Sequence, residues 1–211
     1  SGQSLKMLDT APRVVLDADW GLVTIGKTAK DTRIAQNIYQ YTMKVIQQTD
    51  SLGGYVALPA FDIFEVEYWD LEQAKLQAGG KSPMFTGEIA LVTGAASGIG
   101  KACVDRLLAR GSAVIALDIN PTVETLRKRP DVLGITVDVT NTEGMANALE
   151  AGVRQFGGLD MLVLNAGIFP PSVKIADMTV DLWRKVMHIN LDSNMTLMQM
   201  AYPLLKHAPC G

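Results

Sequence analysis

Histidine and cysteine are almost missing from this chain, with 2 of each in 211 residues. With only His188 and His207 available, a histidine-based metal centre is not expected anywhere in it. Cys103 and Cys210 are too few for a disulfide framework and form no Cys-x-x-Cys pair, so the expected setting is a reducing cytoplasm. An excess of positive charge is missing too. The 19 basic side chains face 22 acidic ones for a net charge of −3, and the one basic run is Arg127-Lys128-Arg129. Nucleic-acid and membrane-surface binders need a larger positive footprint, so the expected partner is a small molecule, with no nucleic acid and no membrane. No stretch approaches the roughly 18 continuous apolar residues of a spanning helix. No basic-then-apolar leader pattern is seen, so neither spanning nor secretion is expected.

What is present is enough apolar material for a core: 48% of residues are hydrophobic and 19% charged, which excludes a disordered chain or a fibre former. At about 100–200 residues per domain, the length allows one domain, or one and a piece of another. Two dissimilar patterns meet at Gly79-Gly80-Lys81-Ser82-Pro83, whose turn chemistry marks a boundary. The reading therefore divides the chain into residues 1–80, a linker at 81–86 and a second domain at 87–211. In the first part, Arg13–Leu16 and Leu22–Ile25 flank a turn and suggest a hairpin. Ile34, Ile38, Tyr41, Val45 and Ile46 recur at helical spacing from about Lys30 to Thr49, and a further helix is expected over roughly Phe61–Ala78. Two helices and a hairpin bury too little surface to offset chain entropy on their own.

Beyond the boundary the pattern alternates strand and helix. Ile89–Thr93, Ala113–Leu117, Leu133–Val137 and Met161–Leu164 are short and almost continuously apolar, as parallel strands covered on both faces must be. Between them, Ile99–Arg110 turns Ile99, Cys103, Leu107 and Leu108 inward, and Thr142–Phe156 turns Met145, Leu149, Val153 and Phe156 inward. Alternation with short links means an α/β fold with a right-handed, doubly wound parallel sheet of the Rossmann kind. Met187, Met195, Met198 and Met200 form an apolar helical stripe that reads as core or subunit interface.

The chemistry concentrates in Thr93-Gly94-Ala95-Ala96-Ser97-Gly98-Ile99-Gly100, placed directly after the first buried strand and opening the next helix. Gly94 permits a tight turn, Gly98 a close backbone approach to a pyrophosphate, and Gly100 close packing of helix on strand. The helix N-terminus adds unpaired N–H groups and partial positive charge. Asp118 ends the second strand, where an acidic residue meets the adenosine ribose hydroxyls of a dinucleotide. Taken singly, each is a turn former or a helix cap; together they are in register for dinucleotide binding.

With Asp138-Val139 after the third strand, Asn165-Ala166-Gly167 after the fourth and Asn190 in His-Ile-Asn, four motifs resemble in order and spacing those of the short-chain dehydrogenase/reductase family. The resemblance covers about Phe85 to Gly211. It implies NAD as cofactor, held by Gly94, Ala96, Ser97, Gly98, Ile99, Gly100, Asp118, Ile119, Asp138, Val139, Asn165, Ala166 and Gly167. It also implies that Asn190 is a catalytic residue helping to hold a proton-relay water, and that Asp138 contacts the adenine amino group. The family's Ser and Tyr-x-x-x-Lys centre would lie beyond Gly211. Tyr202 and Lys206 match Tyr-x-x-x-Lys only literally, since they follow Asn190 within one helix and Pro203 comes next.

Glu67-Tyr68-Trp69-Asp70-Leu71-Glu72-Gln73-Ala74-Lys75-Leu76, preceded by Gly-Lys-Thr-Ala-Lys leading into a long helix, resembles the end of a class II aldolase-like domain. Such a domain precedes the dehydrogenase in bifunctional rhamnulose-1-phosphate aldolase/alcohol dehydrogenases. That chemistry uses a histidine-held zinc, and residues 1–80 contain no histidine. The acids Glu65, Glu67, Asp70 and Glu72 read as a solvated face. The expectation is a piece of a longer NAD-dependent oxidoreductase acting on a small alcohol or hydroxyaldehyde, homo-oligomeric, with a non-catalytic NAD-binding sensor or scaffold module as the alternative. Ser-Gly-Gln at the start without Met, and four strands where the fold normally has six or more, suggest a cut at both ends.

Overall fold

A computed structural model describes residues 10–69 and 82–209. The chain divides into two compact units between Ser82 and Pro83.

In the first unit, β1 (Val14–Asp17) and β2 (Gly21–Thr24) pair antiparallel, with Asp17 opposite Gly21. The turn is held by Asp17, whose Oδ1 accepts from the N–H groups of Asp19 and Trp20 at 2.9 Å each. Those two donors hold its carboxyl below the ordinary aspartate value. Helix α1 (Ala29–Thr49) starts at Thr28, whose side chain accepts from Asp31 N–H. The helix expected over Phe61–Ala78 is shorter: α2 (Ala60–Glu67) stops at Tyr68, where Tyr68 N–H turns back to the Phe64 carbonyl and Trp69 N–H to the Val66 carbonyl. Phe64 and Tyr68 stack with ring centroids 4.6 Å apart. Asp70, Leu71, Glu72 and Lys75, with Gly79–Lys81 of the boundary, lie outside the described residues. None of residues 10–69 is buried, and Trp20, Ile38, Tyr41 and Phe61 are exposed apolar side chains.

In the second unit, β3 (Ile89–Thr93), β4 (Ala113–Asp118), β5 (Val132–Thr136) and β6 (Met161–Val163) form one parallel sheet in the order β5-β4-β3-β6. The last two strands are shifted or trimmed by one residue from the hydrophobic runs, because apolar side chains continue past the last ladder bond: Val137 and Leu164 still pack on the core. Helix α3 (Gly98–Ala109) connects β3 to β4, and α4 (Thr142–Phe156) connects β5 to β6. Between β4 and β5 the link is a 3-10 helix, Pro121–Lys128, opened by Asn120. The chain then runs through α5 (Val180–Met187), a π-turn at His188–Asp192, and α6 (Ser193–Leu205).

Strand alternation sorts the core into two layers. Leu91, Ile115 and Leu117 pack with Met145, Leu149, Leu197 and Ala201 of α4 and α6, while Val92, Val114 and Ala116 pack with Val104 of α3 and Val123. One inward assignment needs correction. Ile99 is 76% exposed: the buried stripe of α3 runs through Gly100 and Val104, and Ile99, one position before Gly100 and so about 100° around the helix, falls off it. In α6 the buried stripe is Ser193, Leu197 and Ala201. Met200 packs against the core, whereas Met195 and Met198 are exposed.

The 3-10 helix lies so close to β5 that a Cβ on Gly134 would collide with the Val123 carbonyl oxygen. Backbone cannot yield as a flexible side chain can. Gly134→Ala is expected to cost about 1–3 kcal/mol, as overpacking does. Gly158→Ala, with nothing within 4 Å of its Cβ position, should change stability by under about 0.5 kcal/mol, as open surface sites do. Denaturant unfolding of the two variants checks the contrast; equal losses would contradict it.

Candidate functional site

The sheet order brings the carboxyl ends of β3 and β6 side by side where the connections diverge, β4 lying on one side of β3 and β6 on the other. Open α/β sheets bind ligands in the crevice at such a point. Thr93, only 1% exposed, joins the two strand ends: its Oγ1 accepts from Asn165 N–H and from Ala166 N–H at 3.0 Å each. In return, Asn165 Nδ2 donates to the carbonyls of Thr93 and Gly94 at 3.0 and 3.2 Å. Thr93 was the residue that motif reading passed over. Its position before Gly94 was visible, but its double acceptor role depends on a strand some seventy residues away.

Gly94 and Gly98 lie at φ +66° and +55°, in the left-handed region that glycine tolerates. Gly100 meets a different demand: a Cβ there would strike Gly94 O and come within 2.5 Å of Asn165 Nδ2. The Gly98 Cβ position has nothing within 4 Å, so the loop surface is open at that point. Helices α1, α4 and α5 are each capped by a side chain from Thr28, Asn141 or Thr179. Ser97, at the same position of α3, makes no capping bond. The first amides of α3, over Gly98, Ile99 and Gly100, are thus left for an anion, with the positive end of the helix dipole behind them.

Asp118 stands beside this terminus. Its Oδ2 accepts from Ala96 N–H and its Oδ1 from Asn120 N–H, both at 2.8 Å, which fixes the carboxylate at the mouth of the glycine loop. Ile119, the next residue, is exposed. Asp138 follows β5; its Oδ1 accepts from the N–H and hydroxyl of Thr140 at 2.9 and 2.8 Å. The Thr140 N–H, then its hydroxyl, hold the Asp138 carboxyl below the ordinary value, and His188 adds a smaller pull in the same direction. Val139 packs against the core rather than standing free.

On the β6 side, Asn190 sits in the π-turn and closes two bonds on one residue: its Oδ1 accepts from Ile168 N–H at 2.8 Å and its Nδ2 donates to Ile168 O at 2.9 Å. Gly167 lies against it, with a Cβ position 3.2 Å from Asn190 Oδ1. Tyr202 stands apart from this cleft, exposed on α6, and Lys206 N–H bonds Tyr202 O as the helix ends. The glycine loop, Asp118, Asn165–Gly167 and Asn190 therefore line the carboxyl edge of one sheet. The structure offers an amide-lined, positively polarised helix end, suited to an anion, flanked by a carboxylate that can accept hydrogen bonds.

A family model described as short chain dehydrogenase matches residues 88–211. One described as the second domain of class II aldolases matches residues 1–76. An uncharacterized oxidoreductase of Bacillus subtilis is 29% identical over 216 aligned residues, covering 98% of this chain and 31% of that protein. A 3beta-hydroxysteroid dehydrogenase 2 of Eggerthella lenta is 37% identical over 54% of this chain and 46% of its own length. The chain thus spans about a third to a half of the curated relatives it matches. Among solved structures, a carveol dehydrogenase from Mycobacterium avium in complex with NAD superposes with a TM-score of 0.53 at 27% identity, over 58% of this chain and 51% of its own.

Two outcomes test the cleft. Thr93→Val keeps the shape but strands two amide donors, so it should cost about 1–3 kcal/mol per stranded group, while Thr93→Ser should cost clearly less; denaturant unfolding decides. For Asp138, a depressed folded-state value means stability that is complete above the ordinary aspartate range and lost as pH falls through the lowered value. NMR titration of the Asp138 carboxyl should show that low midpoint, and Thr140→Val should move it upward.

Proposed function

The chain belongs to the short-chain dehydrogenase family, and from that premise we propose that residues 87–211 are the NAD-binding half of an oxidoreductase passing hydride between nicotinamide and the carbon of a small alcohol or hydroxyaldehyde. The observation that carries the proposal is the uncapped N-terminus of α3 with Asp118 locked beside it by Ala96 N–H. The α3 amides at Gly98–Gly100 would take the pyrophosphate, and Asp118 the adenosine ribose hydroxyls. Ile119, Asp138 and Val139 would bound the adenine, and Asn165–Gly167 would line the nicotinamide side. When bound, NAD supplies the hydride acceptor.

The fusion to an aldolase-like domain, with a place in sugar breakdown, is the reading we favour for the first unit. Its support is the match of residues 1–76 and the alignment of one Bacillus subtilis oxidoreductase along 98% of this chain. The steroid dehydrogenase covers about half of this chain, so its substrate is not carried over. No histidine is available in residues 1–80 to hold a zinc, so aldol chemistry is not assigned to this unit. Self-association through α5, the π-turn and α6 is also proposed, because Trp183, Leu191, Met195, Met198 and Tyr202 are exposed apolar side chains there. No helix among the described residues is long and apolar enough to cross a membrane, and a reducing cytoplasm suits the cysteine content.

Two measurements test the proposal. A carboxylate accepting ribose hydroxyls contributes roughly 1.5–3 kcal/mol and repels a 2′-phosphate, so calorimetric titration should give tighter binding of NAD than of NADP. Asp118→Ala should narrow the gap, and equal or tighter NADP binding would overturn the assignment. Proton-transfer groups contribute about 10²–10⁴-fold to rate, and Asn190 is the one family catalytic position matched here. The 211-residue chain by itself should therefore bind nucleotide without turnover. NAD-dependent alcohol oxidation that Tyr202→Phe abolishes would show Tyr202 to be catalytic after all.

A further inference from the structure

An α-helix pairs each carbonyl with the N–H four residues on. The π-turn at His188–Asp192 breaks that register, with Ser193 N–H reaching back five residues to His188 O. Such a slip of one residue turns the following helix by about 100°. It lets Asn190 face Ile168 on the cleft side while Ser193, Leu197 and Ala201 face the core. A slip of this kind strains the ladder and persists only where something holds it.

Three side chains at the junction do so. Ser193 Oγ donates to Ile189 O at 2.6 Å, Asn194 Nδ2 to Asn190 O at 2.8 Å, and Thr196 Oγ1 to Asp192 O at 3.0 Å. Each donor reaches the carbonyl four residues back, and all three carbonyls belong to the π-turn. Side-chain bonds of this pattern compete with the main-chain ladder and bend helices. Ser193 is buried, which strengthens the first of them. Asn190 is consequently held at both ends, its carbonyl by Asn194 and its amide by Ile168 N–H and O.

We infer that Ser193, Asn194 and Thr196 are positioning residues that maintain the π-turn and, through Asn190, hold the Gly167-Ile168 wall of the cleft in place. Local order at Ile168 is then a readout of side chains on another element, one to two turns beyond Asn190. The inference stands on this geometry, and the cofactor assigned above enters only as a second readout.

The test is amide hydrogen exchange of the 211-residue chain. The Ile168 N–H, bonded by Asn190 Oδ1, is compared with the Leu91 N–H of the central strand as a measure of global stability. Asn194→Asp removes the donor at constant shape, Ser193→Ala removes the buried hydroxyl, Ser193→Thr restores one, and Asn190→Ala cuts the link itself. Exchange at Ile168 should rise about three- to tenfold in Asn194→Asp and Ser193→Ala, the range of one net hydrogen bond. It should rise at least as far in Asn190→Ala and stay near the parent rate in Ser193→Thr, with Leu91 unchanged throughout. Parent-like Ile168 exchange in both Asn194→Asp and Ser193→Ala would overturn the inference, as would Ile168 and Leu91 accelerating together. Calorimetric NAD titration of Asn194→Asp, Ser193→Ala and Asn190→Ala should show weaker binding than the parent, and Ser193→Thr parent-like binding. A parent that binds no NAD would defeat the cofactor assignment and leave the exchange result to decide this one.

Discussion

The hydroxyl of Thr93 is the point on which the cleft depends. It is almost fully buried at the end of β3 and accepts the N–H groups of both Asn165 and Ala166. Buried amide donors must find partners, and at the end of a parallel ladder the neighbouring strand no longer supplies them. The Thr93 hydroxyl replaces the missing rung. Because Asn165 answers with two bonds to the Thr93 and Gly94 carbonyls, the ends of β3 and β6 cannot splay. Gly100 then has to be glycine, since Asn165 Nδ2 and Gly94 O already fill the space its side chain would take.

From that fixed edge the electrostatics follow. Among the described helices, α1, α4 and α5 receive a side-chain acceptor at their N-termini, but α3 does not, and its amides and dipole are directed toward the crevice. Asp118 sits across from them, restrained by the same glycine loop through Ala96 N–H. A positively polarised helix end next to a fixed carboxylate puts a place for an anion and a hydrogen-bond acceptor on one loop. The opposite wall is rigid for a different reason. There Asn190 clasps the Ile168 backbone from a helix that has slipped register, and the slip is held by hydrogen bonds from its own side chains.

The two units differ in how they are stabilised. The second has two core layers, one on each face of the sheet. None of the described residues of the first is buried, and its order comes from local devices: the Asp17 turn, the Thr28 cap and the Phe64–Tyr68 stack. Local hydrogen bonds of this kind contribute little net free energy compared with the entropy of ordering a chain. The apolar face of α1, with Ile34, Ile38 and Tyr41, is accordingly exposed.

Sequence alone was enough for what is local or periodic. Strand β3 and helix α4 matched their hydrophobic runs residue for residue, and β4, β5, β6 and α3 came within a residue, because strands buried on both faces must be continuously apolar and the helices between them must alternate at 3.6. The glycine loop and the acid ending β4 were legible for the same reason, being tied to adjacent elements. The end of α2, the exposure of Ile99, the 3-10 link after Asp118 and the π-turn at Asn190 were not. Each depends on what lies opposite in space: which face of α3 Gly94 and Asn165 cover, whether Val123 can approach Gly134, whether Ile168 waits across from Asn190. Periodicity records which face of an element is apolar, but the places where that face runs past its partner, or where a helix must slip to meet two partners at once, are decided only when the chain is packed.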